Sequence, residues 1–255
     1  MLRIIKTRLE QKYRTMAYPD GPPPELPARI AGRPVVSGAA CQTDCNGCLT
    51  ACPVDAVGLS GQPQGPVIDT GRCLFCRACE SACPAGIIRF GREYRLAASF
   101  RESLMVRPGS PDHAPARHET AARIFGRSLK LRQVSAGGCN ACEADTNVLT
   151  TLAWDLGRFG IQFVASPRHA DGLLITGPVT ENMRLALEKT YAAVPAPKIV
   201  IAVGSCAISG GPYSGHPEQH NGASAVVPVD LFIPGCPPHP LTILDGLLRF
   251  LGRIE

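Results

Sequence analysis

The sequence has few aromatic residues and no long apolar run. Aromatic side chains make up 5% of the 255 residues, with a single Trp, so the hydrophobic core must consist mainly of Leu, Ile, Val and Ala. The longest uncharged stretch, residues 199–217, is interrupted by Gly204, Gly210, Gly211 and Pro212, whereas a membrane span needs about 20 predominantly apolar residues. The first residues also lack an apolar signal region. These absences predict a cytoplasmic protein without a membrane span.

Nucleotide-binding motifs are also absent from the sequence. Neither G-x-x-x-x-G-K-[ST] nor G-x-G-x-x-G occurs, so nothing in it predicts nucleotide binding. The net charge of +5 is concentrated in two segments: residues 1–34 contain seven Lys or Arg against three Asp or Glu, and residues 89–132 contain ten against four. The basic residues lack the interleaved aromatics that favour nucleic acid as a partner. The remaining interpretations are solvated charge and docking to an acidic partner or anionic lipid.

The first 34 residues predict a helix followed by an extended strap. Residues 2–16 carry apolar side chains at helical spacing, with basic residues mostly on the other side; the apolar positions are Leu2, Ile5, Leu9, Tyr13 and Met16. Such a basic amphipathic helix lies on a membrane surface, on a partner or on its own protein. The Pro-rich residues 19–27 exclude regular structure and predict a strap.

Twelve cysteines dominate the sequence. In a reducing compartment, Cys-x-x-Cys groups are more often metal ligands than disulfides. Residues 41–95 contain two copies of one pattern, each with four cysteines that end in a Cys-Pro pair, Cys52-Pro53 and Cys83-Pro84. An internal repeat of this kind predicts a small pseudo-symmetric domain of the α+β class.

The second copy has the cysteine spacing of bacterial two-cluster ferredoxins, in which the fourth cysteine binds the other cluster. It reads Cys-x2-Cys-x2-Cys-x3-Cys-Pro. We therefore assign one 4Fe–4S cluster to Cys73, Cys76, Cys79 and Cys52, and a second to Cys41, Cys45, Cys48 and Cys83. Zinc is the alternative, although zinc ribbons lack a doubled run closed by Cys-Pro.

The first copy departs from this spacing, because three residues separate Cys41 from Cys45 instead of two. All four ligands are still present, so we favour a complete cluster in which the extra residue bulges. The alternative is that Cys41 lies out of place and the site holds a 3Fe–4S or labile cluster.

The second half of the chain alternates strand-like and helical segments, which predicts a parallel α/β sheet. Strands are expected over 129–134, 161–164, 172–176, 198–203 and 229–233, and helices over 142–158, 181–193 and 240–252. In open sheets of this kind, sites form at the carboxyl ends of the strands. Three cysteines fall there, and a fourth lies nearby in sequence, giving a third candidate set of Cys139, Cys142, Cys206 and Cys236. Taken alone, this set is also compatible with buried structural thiols.

Four motifs of the second half resemble a known family. Residues 138–151 (GCNACEADTNVLTT), 174–183 (LITGPVTENM), 203–213 (VGSCAISGGPY) and 234–244 (PGCPPHPLTIL) resemble the small subunit of nickel–iron hydrogenases and the 20-kDa-type iron–sulfur subunit of complex I. The first half resembles the two-cluster ferredoxin subunit of the same complexes. The chain thus resembles a fusion of the two.

The resemblance implies a flavodoxin-like fold for the second half and a 4Fe–4S cluster on the third cysteine set, for three clusters in all. The two residues between Cys139 and Cys142 favour the hydrogenase branch of energy-converting or formate-hydrogenlyase type, since these cysteines are adjacent in complex I. Glu143 matches a family glutamate associated with proton transfer to the nickel site; the alternative is an acid that complements the dipole of a helix N-terminus.

The expected function is an electron-transfer subunit of an oxidoreductase complex, with no bond chemistry by this chain alone. The resemblance implies as partners a hydrogenase or complex I 49-kDa-type large subunit, membrane-arm subunits, and a donor iron–sulfur subunit or ferredoxin, with the chain peripheral on the inner face of the cell membrane. The alternatives are a quinone-linked complex I-like subunit, a stand-alone electron carrier and a zinc-stabilised module. The predicted organisation is a tail (1–34), a ferredoxin-like domain (35–100), a linker (101–127) and a flavodoxin-like domain (128–255).

Overall fold

The computed structural model of the chain describes residues 2–12, 14–39, 41–42, 44–60 and 65–254. The first helix, α1 (Leu2–Gln11), buries none of its residues. It ends before the predicted residue 16 because the backbone of Lys12 takes a left-handed conformation, with φ of 53°. Met16 instead packs against the core, and its N–H donates to the carbonyl of Ala153 at 2.9 Å. Tyr13 lies outside the described residues.

The cysteine repeat folds into two short antiparallel sheets. Strand β1 (Pro34–Val36) precedes helix α2 (Gly47–Thr50), strands β2 (Val57–Ser60) and β3 (Gly65–Asp69), helix α3 (Ala78–Ser81) and strand β4 (Ile88–Phe90). β1 pairs with β4 in one sheet, and β2 pairs with β3 in the other. The apolar run after each Cys-Pro thus contributes a strand, and the core between the sheets includes Val36, Ile68, Ile88 and the thiols of Cys48 and Cys79.

The predicted linker, residues 101–127, contains regular structure and packs against both halves. Strand β5 (Met105–Val106) joins the sheet of β2 and β3, and helix α4 (Glu119–Phe125) follows it. Just before this segment, Ala98 and Phe232 exchange two backbone hydrogen bonds of 2.9 Å. The segment was predicted to be a linker because its composition is polar and rich in Pro. Composition does not show whether a segment pairs with strands that are distant in the sequence.

The second half forms a five-stranded sheet in the order β10-β9-β8-β6-β7, with every neighbouring pair parallel. This confirms the predicted parallel α/β fold. The strands are β6 (Leu129–Ser135), β7 (Ile161–Phe163), β8 (Gly172–Thr176), β9 (Ile199–Val203) and β10 (Leu231–Ile233). The helices are α5 (Ala141–Val148), α6 (Glu181–Ala193), α7 (Ser205–Ser209) and α8 (Pro240–Phe250).

The sheet is buried on both faces. Along β9, Ile199, Ile201 and Val203 pack into the core that contains α8, whereas Val200 and Ala202 pack into the core on the opposite face. This alternation follows from the two-residue period of a strand, and burial on both faces explains why these strands are almost uniformly apolar.

Helix α5 ends at Val148, ten residues earlier than predicted. The side chains of Thr150 and Thr151 donate to the carbonyls of Asn147 and Val148, each at 2.8 Å. Such local hydrogen bonds compete with the helical backbone pattern. The apolar spacing that predicted a longer helix continues past Val148, because Leu149 and Leu156 are buried in the core that contains α8.

Candidate iron–sulfur sites

The first group of thiols comes from the loop before α2, from α2 itself and from the Cys-Pro pair of the second copy. In the segment with the extra residue, the N–H of Cys45 donates to the carbonyl of Gln42 at 3.1 Å. Burial raises the pKa of the Cys48 thiol, and the neighbouring Cys41 and Cys83 raise it further. The structure thus brings Cys41, Cys45, Cys48 and Cys83 together.

The second group lies on the loop before α3 and on Cys52. Burial raises the pKa of Cys73 to about 12, with added effects from Cys79, Cys52 and Cys76. Burial likewise raises the pKa of Cys79 to about 11, and Cys52 makes the largest contribution among its charged neighbours. The fourth cysteine of each copy therefore lies with the three cysteines of the other copy.

Backbone N–H groups donate hydrogen bonds to three of these sulfur atoms. The N–H of Ala56 donates to Sγ of Cys52 at 3.1 Å, and the N–H of Ile87 occupies the same relative position on Cys83 at 3.3 Å. The N–H of Phe75 donates to Sγ of Cys73 at 3.2 Å. Hydrogen bonds to sulfur stabilise thiolates and tune the potential of iron–sulfur clusters, so this environment suits such a group.

The third group lies at the carboxyl edge of the parallel sheet, where Cys139 follows β6, Cys206 lies in the first turn of α7 after β9, and Cys236 follows β10. Burial raises the pKa of Cys142, and Cys206 makes the largest contribution among its charged neighbours. Burial also raises the pKa of Cys206 to about 11, with further effects from Cys236 and Cys139. All four thiols therefore face one another.

Two glycines leave the space that this third group needs. A Cβ atom on Gly204 would lie 2.4 Å from Sγ of Cys142, and one on Gly211 would lie 2.7 Å from Sγ of Cys206. Both glycines also have positive φ angles, 92° and 56°. Four converging thiols in a cradle that a side chain would fill are the donor set of a 4Fe–4S cluster, so the residues fit this group.

Within the described part of the chain, no three side chains of His, Cys, Asp or Glu are arranged around a single metal ion. A cluster with four iron atoms needs a different geometry, because each iron takes one thiolate from the protein. Across the same residues, none of the helices combines the length and the apolar character that a bilayer span requires.

Glu143 is buried beside the third group, with 5% of its surface exposed. Its Oε1 accepts hydrogen bonds from the hydroxyls of Ser135 at 2.6 Å and Thr176 at 2.7 Å. Both donors sit at the ends of neighbouring strands, so the sheet itself holds the carboxyl group in place. Glu143 also lies in the first turn of α5, which is compatible with the helix-dipole interpretation.

His239 caps the last helix, since its Nδ1 accepts from the N–H of Leu241 at 3.1 Å. Its ring packs on Trp154 at 6.0 Å between centroids. A cavity of about 250 Å³ lies beside it, lined among others by Phe75, Asp145 and Cys236. Burial lowers the pKa of His239 and raises the pKa of Asp145. Neither Asp145 nor Trp154 was assigned a role from the sequence: Asp145 lies within the 138–151 motif but at no cysteine position, and Trp154 lies outside the motifs.

The second and third groups are neighbours. Burial raises the pKa of Cys236, and the two charged neighbours that raise it further are Cys139 of its own group and Cys76 of the second group. The hydroxyl of Ser205 reaches the carbonyl of Cys73 at 2.6 Å across the same junction. Sequence analysis gave no signal for this contact, since 132 residues separate the two positions.

Each half of the chain matches a different protein family. Residues 139–250 match the family described as NADH ubiquinone oxidoreductase, 20 Kd subunit, and residues 40–87 match the 4Fe-4S dicluster domain.

Three relatives illustrate the similarity. A probable membrane-bound hydrogenase subunit of Pyrococcus furiosus is 40% identical over 132 residues, which are 52% of this chain and 79% of that protein. Formate hydrogenlyase subunit 7 of Escherichia coli is 43% identical over 51% of each chain. An NADH-quinone oxidoreductase subunit of Heliobacterium modesticaldum is 38% identical over 47% of this chain and 69% of that protein. The chain therefore belongs to the family of the NADH ubiquinone oxidoreductase 20 Kd subunit, to which it adds a preceding 4Fe–4S dicluster domain.

Proposed function

We propose that this chain is the iron–sulfur electron-transfer subunit of a membrane-associated oxidoreductase complex and that it holds three 4Fe–4S clusters. The grouping of the thiols in space into three sets of four carries this proposal. The first cluster is assigned to Cys41, Cys45, Cys48 and Cys83. The second is assigned to Cys52, Cys73, Cys76 and Cys79, and the third to Cys139, Cys142, Cys206 and Cys236.

Each cluster, when bound, supplies a centre that accepts and releases one electron. The residues of the chain bury Cys48, Cys73 and Cys79, direct backbone N–H groups at sulfur and keep side chains out of the third site. The second group neighbours the third, since the Ser205 hydroxyl beside Cys206 contacts the carbonyl of Cys73. The first and second groups are joined by the crossed cysteines Cys52 and Cys83, so we infer the order first, second and third. We infer that the first group faces an electron-donor iron–sulfur subunit or ferredoxin and that the third faces a large subunit.

We propose a hydrogenase of energy-converting or formate-hydrogenlyase type as the complex, with the nickel–iron site held by the large subunit. The two-residue spacing between Cys139 and Cys142 supports this branch, as do the hydrogenase and formate hydrogenlyase relatives. A complex I-like quinone reductase is the alternative, favoured by the relatives named as NADH-quinone oxidoreductase subunits. Nickel in the partner subunit distinguishes the two. A stand-alone electron carrier is a further alternative, which a partner-free, stable chain would favour.

In this proposal Glu143 holds and passes a proton at the interface with the large subunit. Its burial beside the third group supports the role, and the Ser135 and Thr176 hydroxyls fix the position of its carboxyl group. A carboxyl group transfers a proton only to a group within hydrogen-bond reach, so a fixed orientation of the Glu143 carboxyl group determines which neighbour exchanges protons with it.

We further propose that the chain attaches to the inner face of the cell membrane, with α1 as one contact. Leu2, Ile5 and Leu9 lie on one side of this helix and are 84%, 53% and 73% exposed. Within α1, Lys6 and Arg8 lie on opposite flanks of this apolar stripe. Basic residues that flank an exposed apolar stripe favour binding to anionic lipid. The apolar methylene groups of their side chains enter the edge of the bilayer, and the charged ends reach the lipid headgroups.

The test is to purify the native complex without oxygen and to measure iron, sulfide, nickel and hydrogen turnover together. About 12 iron atoms per chain, with nickel and hydrogen activity in a co-purifying subunit, would support the hydrogenase proposal. The same iron content with quinone reduction and no nickel would favour the complex I-like alternative. Zinc in place of iron would contradict the cluster proposal as a whole.

A further inference from the structure

Helix α7 belongs to the third thiol group but also contacts the second. It spans Ser205–Ser209 and includes Cys206. Ser205 and Ser209 lie four residues apart, so their side chains project from the same face of the helix. Ser205 is 1% exposed. This face therefore points into the protein, towards the ferredoxin-like domain.

Both hydroxyls of this face reach backbone carbonyls of the loop that carries Cys73. Oγ of Ser205 lies 2.6 Å from the carbonyl oxygen of Cys73 and 3.1 Å from that of Gly235. Because a hydroxyl has one proton, Ser205 donates to one carbonyl at a time, and the shorter contact favours Cys73. Oγ of Ser209 lies 3.1 Å from the carbonyl oxygen of Gly71 and 3.0 Å from that of Ser205 in its own helix, so its one proton is shared between the two contacts. We name these contacts the serine clasp.

The clasp requires a close approach of two backbones, and Gly71 permits it. A Cβ atom at Gly71 would lie 2.9 Å from Cγ2 of Ile208, in the middle of α7, and 2.8 Å from Cδ1 of Leu104. The loop is also held from its own side, since Asp69 accepts two hydrogen bonds from Arg101 at 2.8 and 2.6 Å. A loop fixed in this way transmits any shift of α7 to the neighbouring thiols.

We propose that the serine clasp fixes the separation between the second and third redox centres and thereby sets the rate of electron transfer between them. The inference rests on the proposed function. In the step concerned, one electron leaves the second centre and enters the third. The first centre then gives one electron to the second and receives one from a donor of the iron–sulfur class. Ser205 and Ser209 touch neither centre's sulfur atoms in these contacts, so they act as positioning residues through the Cys73 backbone and through α7.

The test compares three variants of the complete, cluster-loaded chain, Ser205→Ala, Ser209→Ala and the double variant, with Ser205→Thr, which keeps the hydroxyl. Ser214→Ala is the matched control, because this serine is exposed and bonds locally to Asn221 at 3.3 Å. Iron and sulfide are measured first. The magnetic interaction between reduced centres is then measured by electron paramagnetic resonance, followed by the rate of electron arrival at the third centre after flash reduction.

We expect the alanine variants to keep their iron and to show a weaker magnetic interaction between the reduced centres. We expect electron transfer to be about tenfold slower, which is the lower end of the effects of substituting residues that contact metal ligands. Ser209→Ala keeps the test decisive if Ser205→Ala fails to fold, and Ser205→Thr should restore the rate. Wild-type interaction and rate in every alanine variant would overturn the clasp and leave the proposed function standing. A wild-type chain without iron at the second or third group would overturn both.

Discussion

The hydroxyl of Tyr18 donates a hydrogen bond to a carboxylate oxygen of Asp245 at 3.1 Å, although 227 residues separate them. Arg249 donates to the other carboxylate oxygen at 2.8 Å and to the carbonyl of Ala114, also at 2.8 Å. Burial raises the pKa of Tyr18, and Asp245 raises it further, so the phenol remains a donor. This buried network ties the N-terminal strap and the 101–127 segment to the last helix.

Replacing Tyr18 with Phe is expected to lower the free energy of unfolding by about 1–3 kcal/mol, because Asp245 would keep a buried carboxylate oxygen without its donor. Denaturant unfolding of the chain provides the measurement. Tyr213→Phe is the control, since this tyrosine is 52% exposed. Equal effects of the two substitutions would contradict a specific contribution from the Tyr18 hydroxyl.

Replacing Gly204 with Ala is expected to remove the third cluster, a loss of about four iron atoms per chain. The new Cβ atom would lie 2.4 Å from Sγ of Cys142. Gly215→Ala is a matched control, because its φ of 82° resembles the 92° of Gly204 but nothing lies within 4 Å of its added Cβ. Full iron content in Gly204→Ala would show that the third cluster does not need the space that Gly204 leaves beside Cys142.

The crossed assignment of the ferredoxin-like cysteines predicts pairs of equivalent variants. Cys83→Ala should lose the same spectroscopic signal as Cys48→Ala, because the two thiols lie in one group. Cys52→Ala should lose the signal that Cys79→Ala loses. Iron content and electron paramagnetic resonance of the reduced chain provide the measurement. Loss of one signal in both Cys83→Ala and Cys79→Ala would instead place each fourth cysteine with its own copy.

Replacing Glu143 with Gln is expected to lower hydrogen turnover of the assembled complex by about 100-fold while iron content stays unchanged, because the amide keeps acceptors for Ser135 and Thr176 but passes no proton. Glu188→Gln is the control, since this residue forms an exposed pair with Arg184 on α6. Unchanged turnover with reduced thermal stability would favour the helix-dipole interpretation.

The proposed lipid contact of α1 predicts that the chain binds vesicles containing phosphatidylglycerol more tightly than vesicles of phosphatidylcholine. Lys6→Glu should weaken this binding by about 1 kcal/mol or more, and added salt should do the same. Leu9→Glu should abolish it. Leu185→Glu and Lys189→Glu are controls on α6, where Leu185 is 53% exposed. Equal binding of all variants in a flotation assay would contradict the contact.

Local sequence spacing was enough to predict the five strands of the parallel sheet and the cysteine loops. The two-residue gaps between Cys73, Cys76 and Cys79 determine a tight loop, and runs such as residues 199–203 are apolar at every position because both faces of the strand are buried. The limits of α1 and α5 were wrong, because local side-chain and backbone conformations ended both helices while the apolar spacing continued.

The sequence by itself determined the repeat and the parallel sheet and predicted the three cysteine sets, because these depend on residue type and on short-range periodicity. Only the tertiary structure decided that residues 101–127 pack as part of the protein, that Cys76 lies beside Cys236, and that Ser205 holds the Cys73 loop. These relationships join segments that are distant in the sequence through hydrogen bonds and burial. A local sequence pattern does not predict such contacts, because each segment would show the same residue types and the same periodicity if the other segment were absent.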